Sequence, residues 1–259
     1  MFHNGVQYGT LNSYKSAISL ILVNDISKDP RITRFLKGVF RLRPPLPKYN
    51  STWNPTCVLD FLSNFYPNET LSLEDLSKKC ITLLALTTAH RVQTFSKIKI
   101  QNIENLNDKI LIKIPEVIKT SRVGSKQPIL VLPYFTQKVE ICPAKTLMSY
   151  VEKTASVRKS DCLFISYKNP HNPVTTQTLS RWIKSTLGAS GVDVSVFTAH
   201  STRHASTSRA HAAGVNIDLI RNTAGWSGNS TTFARFYNRI VVEPDNECAL
   251  ARSIINNDD

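Results

Sequence analysis

Residues 197–238 constrain this chain more than any other stretch. They read Phe197-Thr-Ala-His200-Ser-Thr-Arg203-His204-Ala-Ser, then Gly214-Val-Asn-Ile-Asp-Leu-Ile220, then Ala224-Gly225-Trp226, then Thr231-Thr-Phe-Ala-Arg-Phe-Tyr237. His200 and Arg203 stand three apart, a spacing that puts both side chains on one face of a helix. Glycines punctuate the remainder of the stretch: one helix ends before Gly214 and a second before Gly225-Trp226, and a third carries Tyr237.

At 259 residues the chain is long enough for one large domain, or for one domain and a fragment of another. Its apolar share of 41% and charged share of 20% are those of an ordinary globular protein. The longest apolar run near the N-terminus, residues 17–23, is too short to span a bilayer, and no secretory signal precedes it. A soluble intracellular chain with no membrane partner is expected, nuclear in a eukaryotic host. The five cysteines (Cys57, Cys80, Cys142, Cys162, Cys248) are scattered and form no C-x-x-C pair, which suits reduced thiols rather than a disulfide frame or a zinc site. Charge is more informative. Thirty-two basic against 19 acidic side chains give +13, an excess that attracts polyanions through long-range field and counterion release. Solubility is served by either sign, so the balance points to nucleic acid.

Along the chain, residues 8–42 read as helical, with Leu11, Tyr14, Ile18 and Leu22 as an apolar face and residues 32–39 as a second, basic segment. They look like the end of a helical domain whose start lies outside this chain. The prolines of Arg41-Leu-Arg43-Pro-Pro-Leu-Pro47 then break the pattern, and residues 43–53 read as an extended linker. Ser72-Leu-Glu-Asp75 is a capping signal for a helix running towards His90. Residues 98–100, 109–114 and 128–132 read as strands of a small antiparallel sheet, with the polar residues 119–126 at the tip of a hairpin. Residues 143–157 and 176–187 read as helices around a short buried run, 162–166. The fold class expected is mainly α with a small three-stranded antiparallel sheet.

The order His200-x-x-Arg203, Gly225-Trp226, Tyr237 resembles the catalytic domain of the tyrosine recombinases, the phage-integrase family. Ala224-Gly225-Trp226-Ser227, Phe233-Ala-Arg-Phe-Tyr237 and Lys119-Thr-Ser-Arg122 look like the branch found in DIRS-type eukaryotic mobile elements. The resemblance implies a DNA breaking-rejoining fold in which residues 1–42 belong to a helical core-binding domain, 43–53 to a linker, 54–242 to the catalytic domain and 243–259 to a tail. It also implies double-stranded DNA as partner, a homo-tetramer on DNA, and a tail that docks on a neighbour.

Breaking a phosphodiester without metal or cofactor requires a nucleophile, a proton donor for the leaving oxygen, and cationic donors around the phosphate. The resemblance makes Tyr237 the nucleophile, which otherwise reads as a buried aromatic of its helix. It makes Arg91 and Arg203 a phosphate clamp, since guanidinium offers a planar fork and stays charged; an ordinary surface ion pair is the plainer reading of each. The family often has Arg-x-x-Glu at the first arginine, whereas this chain has Arg91-Val-Gln-Thr94. Lys119 is the candidate general acid, Lys126 the alternative, and two solvated lysines the plain reading. His200 can bond the phosphate or take the tyrosine proton, and Trp226 can donate its indole N–H or pack beneath the clamp. A zinc site on His200 and His204 lacks the Glu of H-E-x-x-H, and His204 and His211 read as packing or surface residues. Arg41, Arg43, Lys97, Arg122, Lys126 and Arg181 are candidate DNA contacts. Two other readings stay open: a recombinase domain that binds DNA without cutting it, and a topoisomerase of the type IB mechanism.

Overall fold

A computed structural model of the chain describes residues 2–22, 26–119, 121, 124, 127–226, 234 and 237–242. The chain divides into two compact units, residues 1–48 and residues 49–259.

In the first unit the helical stretch of residues 8–42 is interrupted, giving α1 (Tyr8–Ser19) and α2 (Pro30–Leu42). Helix α2 begins earlier than residue 32 because Asp29 caps it, accepting from the Arg31 N–H. Pro30 sits in the first turn, where a missing N–H costs nothing. Leu11, Leu36 and Val39 form a small core beside an edge-on pair of Tyr8 and Phe40. Of the apolar face expected on α1, Leu11 is buried, whereas Tyr14, Ile18 and Leu22 stay exposed. A unit of this size offers little opposing surface to cover them.

The second unit opens with a short strand, β1 (Ser51–Trp53), so the end of the proline-rich stretch belongs to a folded body. Tyr49, Thr52 and Trp53 are buried there, and the Trp53 indole donates to Ser201 Oγ at 2.9 Å. After α3 (Pro55–Ser63) comes α4 (Leu73–Thr88), around which the unit is built. Ser72 caps α4 by accepting from the Asp75 N–H, and its hydroxyl donates to the Asp75 carboxylate. Leu76, Cys80, Ile81, Leu83, Leu84 and Ala85 are wholly buried, each larger side chain contributing about 1.5–3 kcal/mol on leaving water. Helix α4 packs against α6 (Pro143–Thr154), α7 (Thr176–Ala189) and α8 (Ser201–Ala212). Its Ser77, Thr87 and Thr88 hydroxyls return to carbonyls one turn back, so a helix surrounded by protein carries them without stranding a donor.

After a single turn, α5 (Val92–Phe95), comes the antiparallel sheet, in the order β2 (Ile103–Asn105), β3 (Lys109–Lys113), β4 (Ile129–Pro133). The latter two strands fall where alternation predicts them. The first does not. Residues 98 and 99 are extended and Ile100 opens a 3-10 turn, and they bond to the run beyond α6: Leu163 N–H donates to Ile98 O, and Ile100 N–H to Asp161 O, both at 2.8 Å. Alternation marks backbone fit for pairing but not its partner. The true edge strand, Ile-Glu-Asn, is too exposed to alternate. The unit continues through α9 (Ile217–Thr223) to β5 (Ile240–Val242), which lies parallel to β1 with Ser51 opposite Ile240. Most of the helix expected around Tyr237, and the tail 243–259, lie outside the described residues. Among the described residues no helix is long and apolar enough to cross a membrane.

Candidate active site

One face of α8 carries most of the site. His200 is its N-cap residue, and Arg203, His204 and Ser208 follow at helical steps. Trp53 holds the start of the helix through Ser201, and Tyr49 holds the residues before it, its hydroxyl 3.1 Å from Thr198 Oγ1.

Arg203 is 1% exposed, and no carboxylate bonds it among the described residues. Its Nη1 donates to two backbone carbonyls, Ala89 O at 2.6 Å and Ala224 O at 3.0 Å. The guanidinium lies 4.3 Å from the Trp226 ring centroid and 5.5 Å from that of Tyr237. Its Nε and Nη2 have no hydrogen-bond partner among the described residues. Burial first, and then the neighbouring charge of Arg91, pushes its pKa down to about 9, against an opposing pull from Tyr237. The group therefore remains a cation at neutral pH. Carbonyl dipoles and an indole face compensate its desolvation only in part, and two unmade donors beside a second arginine make a receptor for an oxyanion.

The carbonyl of Ala89 is aimed by backbone geometry. Ala89 ends α4 in the left-handed region, with φ of 51°. Helices commonly turn out of register this way, though glycine is the usual occupant. The turn leads to half-buried Arg91, the N-cap residue of α5. On the opposite side, α9 ends in Ala224 and Gly225, the latter with φ of +70°. A Cβ on Gly225 would stand 2.9 Å from His90 Cε1, so both conformation and close approach require glycine there.

Tyr237 is partly buried, with its hydroxyl 2.8 Å from His200 Nε2. Its ring stacks on His204 at 4.2 Å and 17°, and meets Trp226 at 4.8 Å and 63°. Backbone contacts also fix it. Ser208 Oγ donates to Tyr237 O at 2.8 Å and accepts from Arg239 N–H at 3.0 Å. Beyond that, β5 pairs with β1.

Four of the six residues singled out from the sequence thus touch one another: His200, Arg203, Trp226 and Tyr237. Arg91 acts on Arg203 through its charge. Lys119 stands apart, exposed in the turn after β3 and involved in none of these contacts. The base of that turn is held by Ser121, whose Oγ accepts from Ile118 N–H and donates to Gln127 Oε1. Arg122 and Lys126 lie outside the described residues. Of the other basic candidates, Lys97 pairs with Glu116 at 2.9 Å and Arg43 donates to Val6 O, while Arg41 and Arg181 are exposed. Among the described residues no group of three or more His, Cys, Asp or Glu side chains is placed to hold a metal.

Three contributors were not read from the sequence as part of the site. His204 is buried against the tyrosine rather than merely packing or at the surface. Ser208 anchors the tyrosine's backbone, and both continue the helical repeat that begins at His200. His90 is buried between Ala89 and Gly225, and only its position beside Arg91 hints at it.

A mainly α domain with a small antiparallel sheet, holding a buried arginine beside a tyrosine, has the tyrosine-recombinase catalytic fold. Residues 60–242 match the Phage integrase family, and the chain belongs to it. It is accordingly a tyrosine recombinase, a DNA strand transferase. Among solved structures, the chain is similar to the Tn1549 transposon integrase (residues 82–397) in complex with circular intermediate DNA. That match has a TM-score of 0.57 at 16% identity, over 98% of this chain and 81% of that one. It is similar to the XerA recombinase, with a TM-score of 0.53 at 17% identity over 98% and 84%. A third likeness is the XerH site-specific recombinase bound to difH substrate in a pre-cleavage complex, with a TM-score of 0.54 at 14% identity over 96% and 71%. No curated protein sequence matches the chain.

Proposed function

We propose that this chain cleaves and rejoins double-stranded DNA through a 3′-phosphotyrosyl intermediate. The observation that carries this reading is the Tyr237 hydroxyl, 2.8 Å from His200 Nε2, with its ring beside a buried guanidinium that has two unmade donors. Arg203 and Arg91 take the non-bridging oxygens of the scissile phosphate, with Trp226 beneath the clamp. Tyr237 Oη attacks phosphorus and its proton passes to His200. The bond from phosphorus to the 5′-oxygen breaks, and that oxygen leaves with a proton from Lys119, or alternatively from Lys126. The ester formed keeps the energy of the bond broken, so the 5′-hydroxyl of a second strand can reverse the step without cofactor or metal.

The DNA carried by the Tn1549 and XerH structures and the net charge of +13 support DNA as the partner. Exposed Arg41 and Arg181, with Arg43, Lys97, Arg122 and Lys126, are its proposed further contacts. We assign residues 1–42 to the end of a core-binding domain, 54–242 to the catalytic domain, and 243–259 to a tail that docks on a neighbour in a homo-tetramer. The Ala224-to-Ser227 and Phe233-to-Tyr237 runs support placement beside the DIRS-type recombinases, and with it action in the nucleus of a eukaryotic host.

A nicked duplex that releases a short strand on cleavage traps the intermediate. Wild-type chain should become covalently linked to DNA, and Tyr237→Phe should give no linkage while still binding the duplex. An adduct formed by the Phe variant, or none formed by the wild type, would overturn the reading.

A further inference from the structure

His90 belongs to none of the roles above, yet it occupies the junction on which Arg203 depends. The guanidinium is held by two carbonyls from two separate turns, Ala89 after α4 and Ala224 after α9. His90 is the next residue after one carbonyl, and its ring packs on Gly225, the next residue after the other. Thr223, in the last turn of α9, also bears on the ring, its backbone favouring the protonated form. Its own backbone N–H points to Thr88 Oγ1 at 3.4 Å. Gly225 in turn leads to Trp226, whose ring the guanidinium covers.

We propose that His90 is a positioning residue for Arg203, a bridge that ties the turn after α4 to the turn after α9 and so fixes the two carbonyls that aim the guanidinium. This rests on the phosphotyrosyl reading for its catalytic consequence, but not for its geometry. The chemistry of the side chain suits the task. A bridge between two segments that already surround two arginines must pack closely and offer a donor without adding a third cation. A neutral imidazole does both, and a lysine or arginine there would repel the groups it positions. Gly225 is the complementary half, since only a residue without a Cβ lets the ring approach the turn.

The test uses the full chain and two replacements of His90. His90→Leu fills similar space without a donor, and His90→Gln keeps a neutral donor. Cleavage of the nicked duplex at saturating DNA should fall roughly 10- to 100-fold in the Leu variant, as a small misplacement of a clamp does. Its affinity for DNA should stay within about 3-fold of wild type, because the contacts along the duplex are unaltered. The Gln variant should recover most of the rate. A second readout tracks the Arg203 Nε–H signal in nitrogen-15 NMR, assigned by its loss in Arg203→Lys. That signal should stay distinct in wild type and His90→Gln and merge with the exposed arginines in His90→Leu. Should the Leu variant not fold, Gly225→Ala displaces the ring from the other side and should give the same paired signature.

A Leu variant with wild-type cleavage and an unmoved Arg203 signal would overturn the inference, and so would Leu and Gln variants that behave alike. If the wild type forms no adduct, the reading of the activity falls, and the Arg203 signal alone still decides whether His90 positions it.

Discussion

The surroundings of Arg203 and the turn bearing Lys119 differ in almost every physical respect. The first is enclosed: a cation 1% exposed, aimed by two carbonyls, faced by an indole and braced by the same helix that carries His200. The second is open, a lysine exposed in the turn after β3. Both are needed for the proposed reaction, one to hold the phosphate and the other to protonate the oxygen that departs. The contrast teaches where organisation is built in. Donors that must already point at a developing charge are fixed by protein alone, and they cost nothing to reorganise at the moment of reaction. The exposed Lys119, by contrast, has no such fixed partners among the site residues, and on the proposed reading it meets its partner only when DNA is seated.

The largest effect that sharpens this contrast is at the open end. Lys119→Ala should slow adduct formation about 10²- to 10⁴-fold, the usual worth of a general acid, with little change in DNA affinity. A substrate with sulfur in place of the 5′-bridging oxygen leaves without a proton and should restore the rate. Failure of that rescue would break the comparison by moving the proton donor elsewhere, with Lys126 next in line. At the enclosed end the expected effect is on stability. Burial above all, with the charges of Arg203 and Arg91 adding to it, pushes the His90 pKa down to about 4 from an ordinary value of 6.5. The unfolded chain therefore binds the proton first as pH falls. The neutral ring contributes its full stability above about pH 6.5, losing it progressively towards pH 4, with roughly 3 kcal/mol at stake. Denaturant titrations across that interval should show the loss, and His90→Gln should flatten it. The smallest effect is at Ala89. Giving this left-handed position a glycine should stabilise the chain by about 0.5–1 kcal/mol, a rise in Tm of a few degrees, with cleavage unchanged. A fall in Tm would mean that the strain attributed to Ala89 is absent.

Much of the enclosed end could be read from the residues because local rules specify it. His200 and Arg203 share a helix face by spacing, Ser72 announces α4, and glycine at 225 signals a turn. Contacts between segments far apart in sequence could not be read this way. That Arg203 bonds the carbonyl of Ala89, 114 positions earlier, comes from α4 packing on α8, which periodicity leaves open. The same limit misplaced the first strand, since residues 98–100 bond to a segment beyond α6 instead of pairing with β3. His90 stayed hidden for a further reason. Its importance comes from a ring filling the space that a missing Cβ leaves on another turn, and neither partner carries that information alone.

The parallel pairing of residues 51–53 with 240–242 has a mechanical consequence. It works like a fastener with very few teeth, joining the start of the second unit to the segment that directly follows Tyr237. Each tooth is a backbone hydrogen bond worth about 0.5–1.5 kcal/mol, so the catch is firm at rest and cheap to undo. Residue 240 is three peptide bonds from Tyr237, so whatever opens this pairing also loosens the backbone that holds the phenol.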